Sequence, residues 1–165
     1  MSNCPYCLGI RARRIYCRHC KPAPPKPKPD KIVLVIRYPK TVEDKRRMLE
    51  SIKPYSQIRP VFVYSSPVAE PLAIAEELAA TYLVSVTQNE GLAPGGRVNP
   101  RAIESLVPPA IGIGLYIFVT HEPHAKLAYR GYYGMFYSVA RPAQIKVNPG
   151  EVVVIDFMYR RTFKK

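Results

Sequence analysis

The strongest hydrophobic signal in the chain is the run Ile32-Val33-Leu34-Val35-Ile36, followed at once by Arg37, Tyr38 and Pro39. A run without polar alternation predicts a strand buried on both faces, as in the interior of a parallel sheet. Downstream the period changes. Residues 42–53 place Met48, Leu49 and Ile52 on one side of a helix that Pro54 ends. Val61-Phe62-Val63-Tyr64 predicts a second strand, and Ser65-Ser66-Pro67 predicts the cap of a helix running to about Ala80. Tyr82 to Val86 predict a third strand. A loop holding Gly91, Pro94, Gly95 and Gly96 then leads to a short helix from Pro100 to Val107. Leu115 to Thr120 predict the next strand, ending at His121-Glu122-Pro123, with a helix from Pro123 to about Tyr129. Three further strands are expected at Met135 to Arg141, Ala143 to Val147 and Val152 to Met158, the last two joined by a turn at Asn148-Pro149-Gly150. Alternating strand and helix with an antiparallel ending predicts an α/β protein, a mixed-sheet α/β/α sandwich. Ligands of such sheets gather at the carboxyl ends of the strands, which directs the search to Arg37 and Tyr38.

Composition adds a module in front of this body. All four cysteines of the 165-residue chain fall within residues 1–21, as Cys4-Pro5-Tyr6-Cys7 and Cys17-Arg18-His19-Cys20. Two such hooks can set four thiolates around one structural Zn²⁺, and twenty residues without a core need that metal to fold. Two disulfides or a redox motif are the alternatives: disulfides need an oxidising compartment or a hyperthermophile cytosol, and a redox motif needs only one hook at a helix start. A closed shell of four sulfurs leaves no position for a catalytic water. Residues 22–30 form a Pro/Lys-rich spacer, residues 31–160 the α/β body, and residues 161–165 a basic tail. No apolar run approaches the roughly 18–20 residues of a membrane span, and the start lacks a signal-peptide core. A cytoplasmic protein is expected.

Charge then suggests a partner. Lys and Arg number 25 against 12 Asp and Glu, a formal +13. Such an excess predicts a polyanionic partner, with nucleic acid first. The candidate contacts are Arg11, Arg13, Arg14, Tyr16, Arg18, His19 and Lys21 on the cysteine module, Lys26 and Lys28 on the spacer, and Arg160, Arg161, Lys164 and Lys165 at the end. The aromatic stretch Tyr129, Tyr132, Tyr133, Phe136 and Tyr137 could stack bases, but reads better as core and surface loop. His121 and His124 beside Glu122 show no third metal ligand.

Several segments in order resemble the histidine phosphatase (phosphoglycerate mutase-like) superfamily, in its small SixA-like branch. The first strand stands where that family has V-x-R-H-G. Residues 63–79 look like its S-S-P-x-x-R-A segment, residues 90–96 like x-x-L-x-P-G-G, and residues 119–124 like V-x-H-E-P-H. The resemblance covers roughly residues 31–160 and implies that fold. It also implies a phosphate pocket at Arg37 and His121, with two departures. Tyr38 stands at the nucleophilic histidine's position, and Glu70 at the second arginine's. A phenol holding its proton is a poor nucleophile at neutral pH, and a carboxylate there repels phosphate. A remnant pocket of Arg37, Tyr38, Glu70 and His121 is expected, with Arg37 paired to Glu70 and no phosphoryl transfer.

Together these features favour a non-catalytic RNA-binding component of a large ribonucleoprotein, the ribosome foremost. Its partners would be rRNA and neighbouring proteins, with no membrane and no small-molecule substrate. The alternatives are a diverged phosphatase or phospho-ligand-binding protein using the remnant pocket, and a zinc-ribbon nucleic-acid adaptor in transcription or a virus.

Overall fold

In the computed structural model, the described residues are 31–94, 103, 106–107, 112–137, 145–157 and 161–165, with the backbone alone for 132–137 and 161. The cysteine module and the spacer lie outside them.

Six strands form one mixed sheet in the order β3-β2-β4-β1-β5-β6. They are β1 (Lys31–Arg37), β2 (Val61–Ser65), β3 (Val86–Gln88), β4 (Gly114–Thr120), β5 (Val152–Asp156) and β6 (Arg161–Lys164). The first four of that order run parallel, whereas β5 is antiparallel to β1 and β6 to β5. The apolar run of β1 lies at the centre, and Val33, Leu34, Val35 and Ile36 have no solvent exposure. Its alternate residues feed two cores. Ile32, Leu34 and Ile36 join Met48 and Ile52 of α1 (Val42–Ile52) and Ala75, Leu78 and Ala79 of α2 (Ala69–Tyr82) on one face. Val33 and Val35 join Tyr116, Phe118, Val153 and Ile155 with Ala125 and Ala128 of α3 (Glu122–Tyr137) on the other. Helices therefore cover both faces, giving the expected α/β/α sandwich.

Local chemistry sets the helix starts. Thr41 accepts from the Asp44 N–H at 3.1 Å while the Asp44 carboxylate accepts from the Thr41 N–H at 3.1 Å, a reciprocal capping box for α1. The α2 cap falls on Val68 with no side-chain bond, later than Ser65-Ser66-Pro67 suggested. α2 ends on Leu83 in the left-handed region (φ 57°), whose N–H reaches the Ala79 and Ala80 carbonyls.

Four expected boundaries are corrected. Tyr82 closes α2, and the third strand is Val86–Gln88. α3 runs to Tyr137, through the start of the strand expected from Met135. Residues 145–148 are not in a strand. The basic tail is strand β6, tied to β5 with Thr162 opposite Ile155. Among the described residues, no helix is long and apolar enough to cross a membrane.

Candidate anion-binding crevice

Strand register builds the site. Arg37 lies opposite Thr120 in the β1–β4 pair, Ser65 opposite Val119 in the β2–β4 pair, and Gln88 opposite Ser65 in the β2–β3 pair. The carboxyl ends of the parallel strands are thus nearly flush, and the residues just beyond them share one edge. Tyr38 follows β1 and donates its N–H to the Thr120 carbonyl at 3.1 Å. His121 follows β4. Ser66 follows β2 and donates its N–H to the Val119 carbonyl at 3.2 Å.

The side chains meet above that edge. The Tyr38 and His121 rings pack edge to face, with centroids 5.2 Å apart and planes at 78°. His121 Nε2 lies 3.4 Å from Ser66 Oγ, which also accepts from the Val68 N–H at 3.3 Å. Burial holds His121 below its ordinary pKa of 6.5, Glu70 pulls it back up and Arg37 pushes it down. A mostly neutral ring at neutral pH follows.

Arg37 is held more tightly than expected, and by other partners. Its Nη1 donates to the Val147 carbonyl at 2.6 Å and pairs with Glu122 Oε2 at 3.0 Å. The expected Arg37–Glu70 pair is thereby corrected to Arg37–Glu122. Glu70 is exposed in the first turn of α2, whereas Glu122 opens α3 directly after His121. The Arg37 backbone is clamped as well: its N–H reaches the Glu151 carbonyl at 3.2 Å and its carbonyl accepts from Gly150 at 2.9 Å. Burial would raise the Glu151 pKa, but hydrogen bonds from the Asn148 backbone and side chain and from Lys164 outweigh it and lower it.

Beneath the crevice, His124 is buried at 2% exposure, and among the described residues neither ring nitrogen makes a well-formed hydrogen bond, although the Gly91 backbone is close enough to act on it. Burial lowers its pKa below 6.5, more than the Gly91 backbone raises it, and His121 lowers it further. The unfolded chain therefore binds more protons than the native one below pH 6.5. This part of the stability is intact above that pH, falls as pH drops toward the native value, and levels off below it. His124→Leu should flatten that slope with little effect on the fold at pH 7.5, because it removes two buried nitrogens that are poorly satisfied. Urea midpoints at pH 7.5 and 5.5 check it: an unchanged difference between them contradicts it.

Ser66, Glu122 and Val147 were not read as site residues. Ser66 looked like a helix cap, Glu122 was visible only as part of a motif, and a backbone carbonyl leaves no sequence signal. Of the expected nucleic-acid contacts, Arg11, Arg13, Arg14, Tyr16, Arg18, His19, Lys21, Lys26, Lys28 and Arg160 lie outside the described residues, as do Cys4, Cys7, Cys17 and Cys20. Arg161 begins β6. Lys164 Nζ donates to the Lys146 carbonyl at 2.6 Å and pairs with Glu151 at 3.2 Å. Lys165 Nζ sits 5.0 Å above the Tyr55 ring. Among the described residues, no three His, Cys, Asp or Glu side chains are grouped to hold a metal ion.

Comparison with solved structures places this body in a known architecture. The chain is similar to a putative phosphohistidine phosphatase SixA from Agrobacterium tumefaciens, with a TM-score of 0.56 and 14% identity over 84% of this chain and 96% of that one. It is similar to a phosphoglycerate mutase from Plasmodium falciparum, with a TM-score of 0.54 and 14% identity over 82% of this chain and 89% of the other. A mycobacterial glucosyl-3-phosphoglycerate phosphatase gives a TM-score of 0.51 and 10% identity over 77% of this chain and 89% of the other. No protein-family model and no curated protein sequence matches the chain. The likeness is distant, spans several branches, and defines a histidine-phosphatase-like fold.

The expectation of an RNA-binding ribosomal protein is corrected on this ground. The body is built as the phosphatases and mutases are, and the two described terminal lysines turn onto the body's own carboxylate, carbonyl and rings.

Proposed function

We propose that the protein recognises a phosphorylated ligand at the crevice between Arg37 and His121, and does not pass the phosphoryl group through a histidine at position 38. The observation that carries this reading is the gathering of Arg37, Tyr38, Ser66 and His121 at the flush carboxyl ends of β1, β2 and β4. That edge is where open α/β sheets take their ligands. The α2 N-terminus opens beside it without a side-chain cap, so its first amides and dipole favour an anion. The fold shared with phosphatases and mutases supports the same ligand class.

Arg37 would hold the phosphate oxygens by charge-assisted hydrogen bonds, and His121 would add a donor once protonated. The Tyr38 phenol, packed on the His121 ring, fills the nucleophile's place. Because His121 titrates below 6.5, affinity should rise as pH falls from 8 toward 6. The ligand's own second protonation, near pH 6, limits that rise. Calorimetric titration with ethyl phosphate at pH 8 and 6.5, followed by assay for released inorganic phosphate, tests the reading. Saturable binding, tighter at pH 6.5, with no release is expected. Absence of binding at both values overturns it, as does phosphate release that Tyr38→Phe abolishes.

The spacing of Cys4, Cys7, Cys17 and Cys20 supports one structural zinc beside this body. Metal analysis of the purified chain should find about one zinc per chain, lost when Cys4 and Cys17 are both serine. Retention of zinc in that variant would refute the assignment.

A further inference from the structure

The crevice carries more negative charge than a phosphate site should. Arg37 is already engaged by Glu122 at 3.0 Å, and its side chain is only 17% exposed. Glu70 stands at the rim, exposed, with no hydrogen bond or ion pair among the described residues. Its field nevertheless reaches His121. The Arg37 guanidinium is thus paired with one carboxylate, and a second, in the first turn of α2, lies close enough to the mostly neutral His121 ring to raise its pKa. A plain phosphate dianion that displaced Glu122 from Arg37 would leave both carboxylates unbalanced next to it, and like charges at such range repel strongly.

We propose that the crevice selects a zwitterion: a phosphate monoester that also carries an ammonium group a few bonds away. Its phosphate exchanges for Glu122 on Arg37, and its ammonium takes Glu70 and the released Glu122. This rests on the phospho-ligand reading above and names the ligand class for it. One ion pair is broken and three are made, so the exchange keeps every charged group partnered, which a simple phosphate cannot do. A simple amine fails for the opposite reason, since binding Glu122 would strip Arg37 of its counter-ion. Glu70, at the position that departs from the family pattern, becomes the specificity-determining residue. The exposed Glu70 supplies selection more than gross affinity, because exposed pairs are individually weak.

The test compares three probes of similar size by calorimetry at pH 7.5: phosphoethanolamine, ethyl phosphate and ethanolamine. Phosphoethanolamine should bind about tenfold tighter than ethyl phosphate, with ethanolamine weakest of the three. Glu70→Gln should narrow the gap by weakening phosphoethanolamine and tightening ethyl phosphate. Equal affinities for the two phosphates, in a protein that binds both, overturn the zwitterion assignment and leave the phospho-ligand reading standing. A gap that persists in Glu70→Gln overturns the role of Glu70. Ethanolamine binding as tightly as phosphoethanolamine marks a cation site and overturns the proposal. Failure of both phosphates to bind overturns the underlying reading instead.

Discussion

Arg37→Ala should eliminate the proposed phosphate-monoester binding and lower folding stability by about 1–3 kcal/mol. The two effects have different sources. The guanidinium is the only cation of β1, β2 and β4 placed at their carboxyl edge, so its loss removes the charge-assisted bonds that hold the ligand. Stability suffers mainly through Val147, a fully buried residue whose carbonyl loses a 2.6 Å hydrogen bond. Glu122 matters less here. Its side chain is 36% exposed and can turn to water, and an exposed ion pair is worth roughly 0–1 kcal/mol. Arg37→Lys separates the contributions: it keeps a charge but not the planar fork, so weak binding should survive while much of the stability loss remains. Urea denaturation beside titration with ethyl phosphate reads both. Full stability in Arg37→Ala contradicts the clamp described here, and unaltered binding contradicts the site.

Gly150→Ala costs about 2–4 kcal/mol, from a strained left-handed conformation plus overpacking. Gly150 has φ of +75°, and a Cβ there would run into the backbone carbonyl of Asp44, with the carbonyl carbon 2.8 Å away. Asp44 is fixed by the capping box of α1, so the obstacle is backbone that cannot step aside cheaply. The loop must move instead, at the expense of the 2.9 Å bond from Gly150 to the Arg37 carbonyl. Ligand binding should weaken along with stability, since the same loop steadies Arg37. Gly131→Ala provides the contrast. It lies within α3 with no atom of the described residues within 4 Å of the added carbon, and helix propensity predicts a gain of roughly 0.5–1 kcal/mol. Thermal melts of the two variants should move in opposite directions. A Gly150→Ala protein as stable as its parent would contradict the loop packing.

Sequence pattern reached the fold where burial leaves a periodic trace. The uninterrupted apolar runs of β1 and β4 follow from two covered faces, and Met48 with Ile52 marks the inner stripe of α1. Boundaries failed where a packed neighbour overrode local preference. The helix expected to end near Tyr129 runs on through Gly131 and Gly134 to Tyr137, against the low helix propensity of glycine. Leu83 ends α2 in a conformation usually left to glycine, which no propensity anticipates. β6 was hidden because Arg161-Thr162-Phe163-Lys164 reads as a basic tail until its partner strand is known.

The crevice was legible in part for the same reasons. Arg37, Tyr38 and His121 end apolar runs, and a strand end is a visible feature. Which carboxylate Arg37 chooses is not visible. Glu70 and Glu122 are equally acidic in sequence, and only the placement of the first turn of α3 brings Glu122 to 3.0 Å. The nucleic-acid expectation failed on charge. A net count of +13 says nothing about pairing, and among the described residues Lys45, Arg46 and Lys164 are matched to Glu77, Glu43 and Glu151.

Recognition of a phosphorylated ligand without turnover is tested, both halves at once, by ³¹P NMR of ethyl phosphate mixed with the protein at pH 6.5. The ligand resonance should shift or broaden in proportion to the protein added, revert with Arg37→Ala, and yield no inorganic phosphate signal over hours. A ligand line that stays sharp and unshifted at every protein concentration, or a growing inorganic phosphate line, would contradict it.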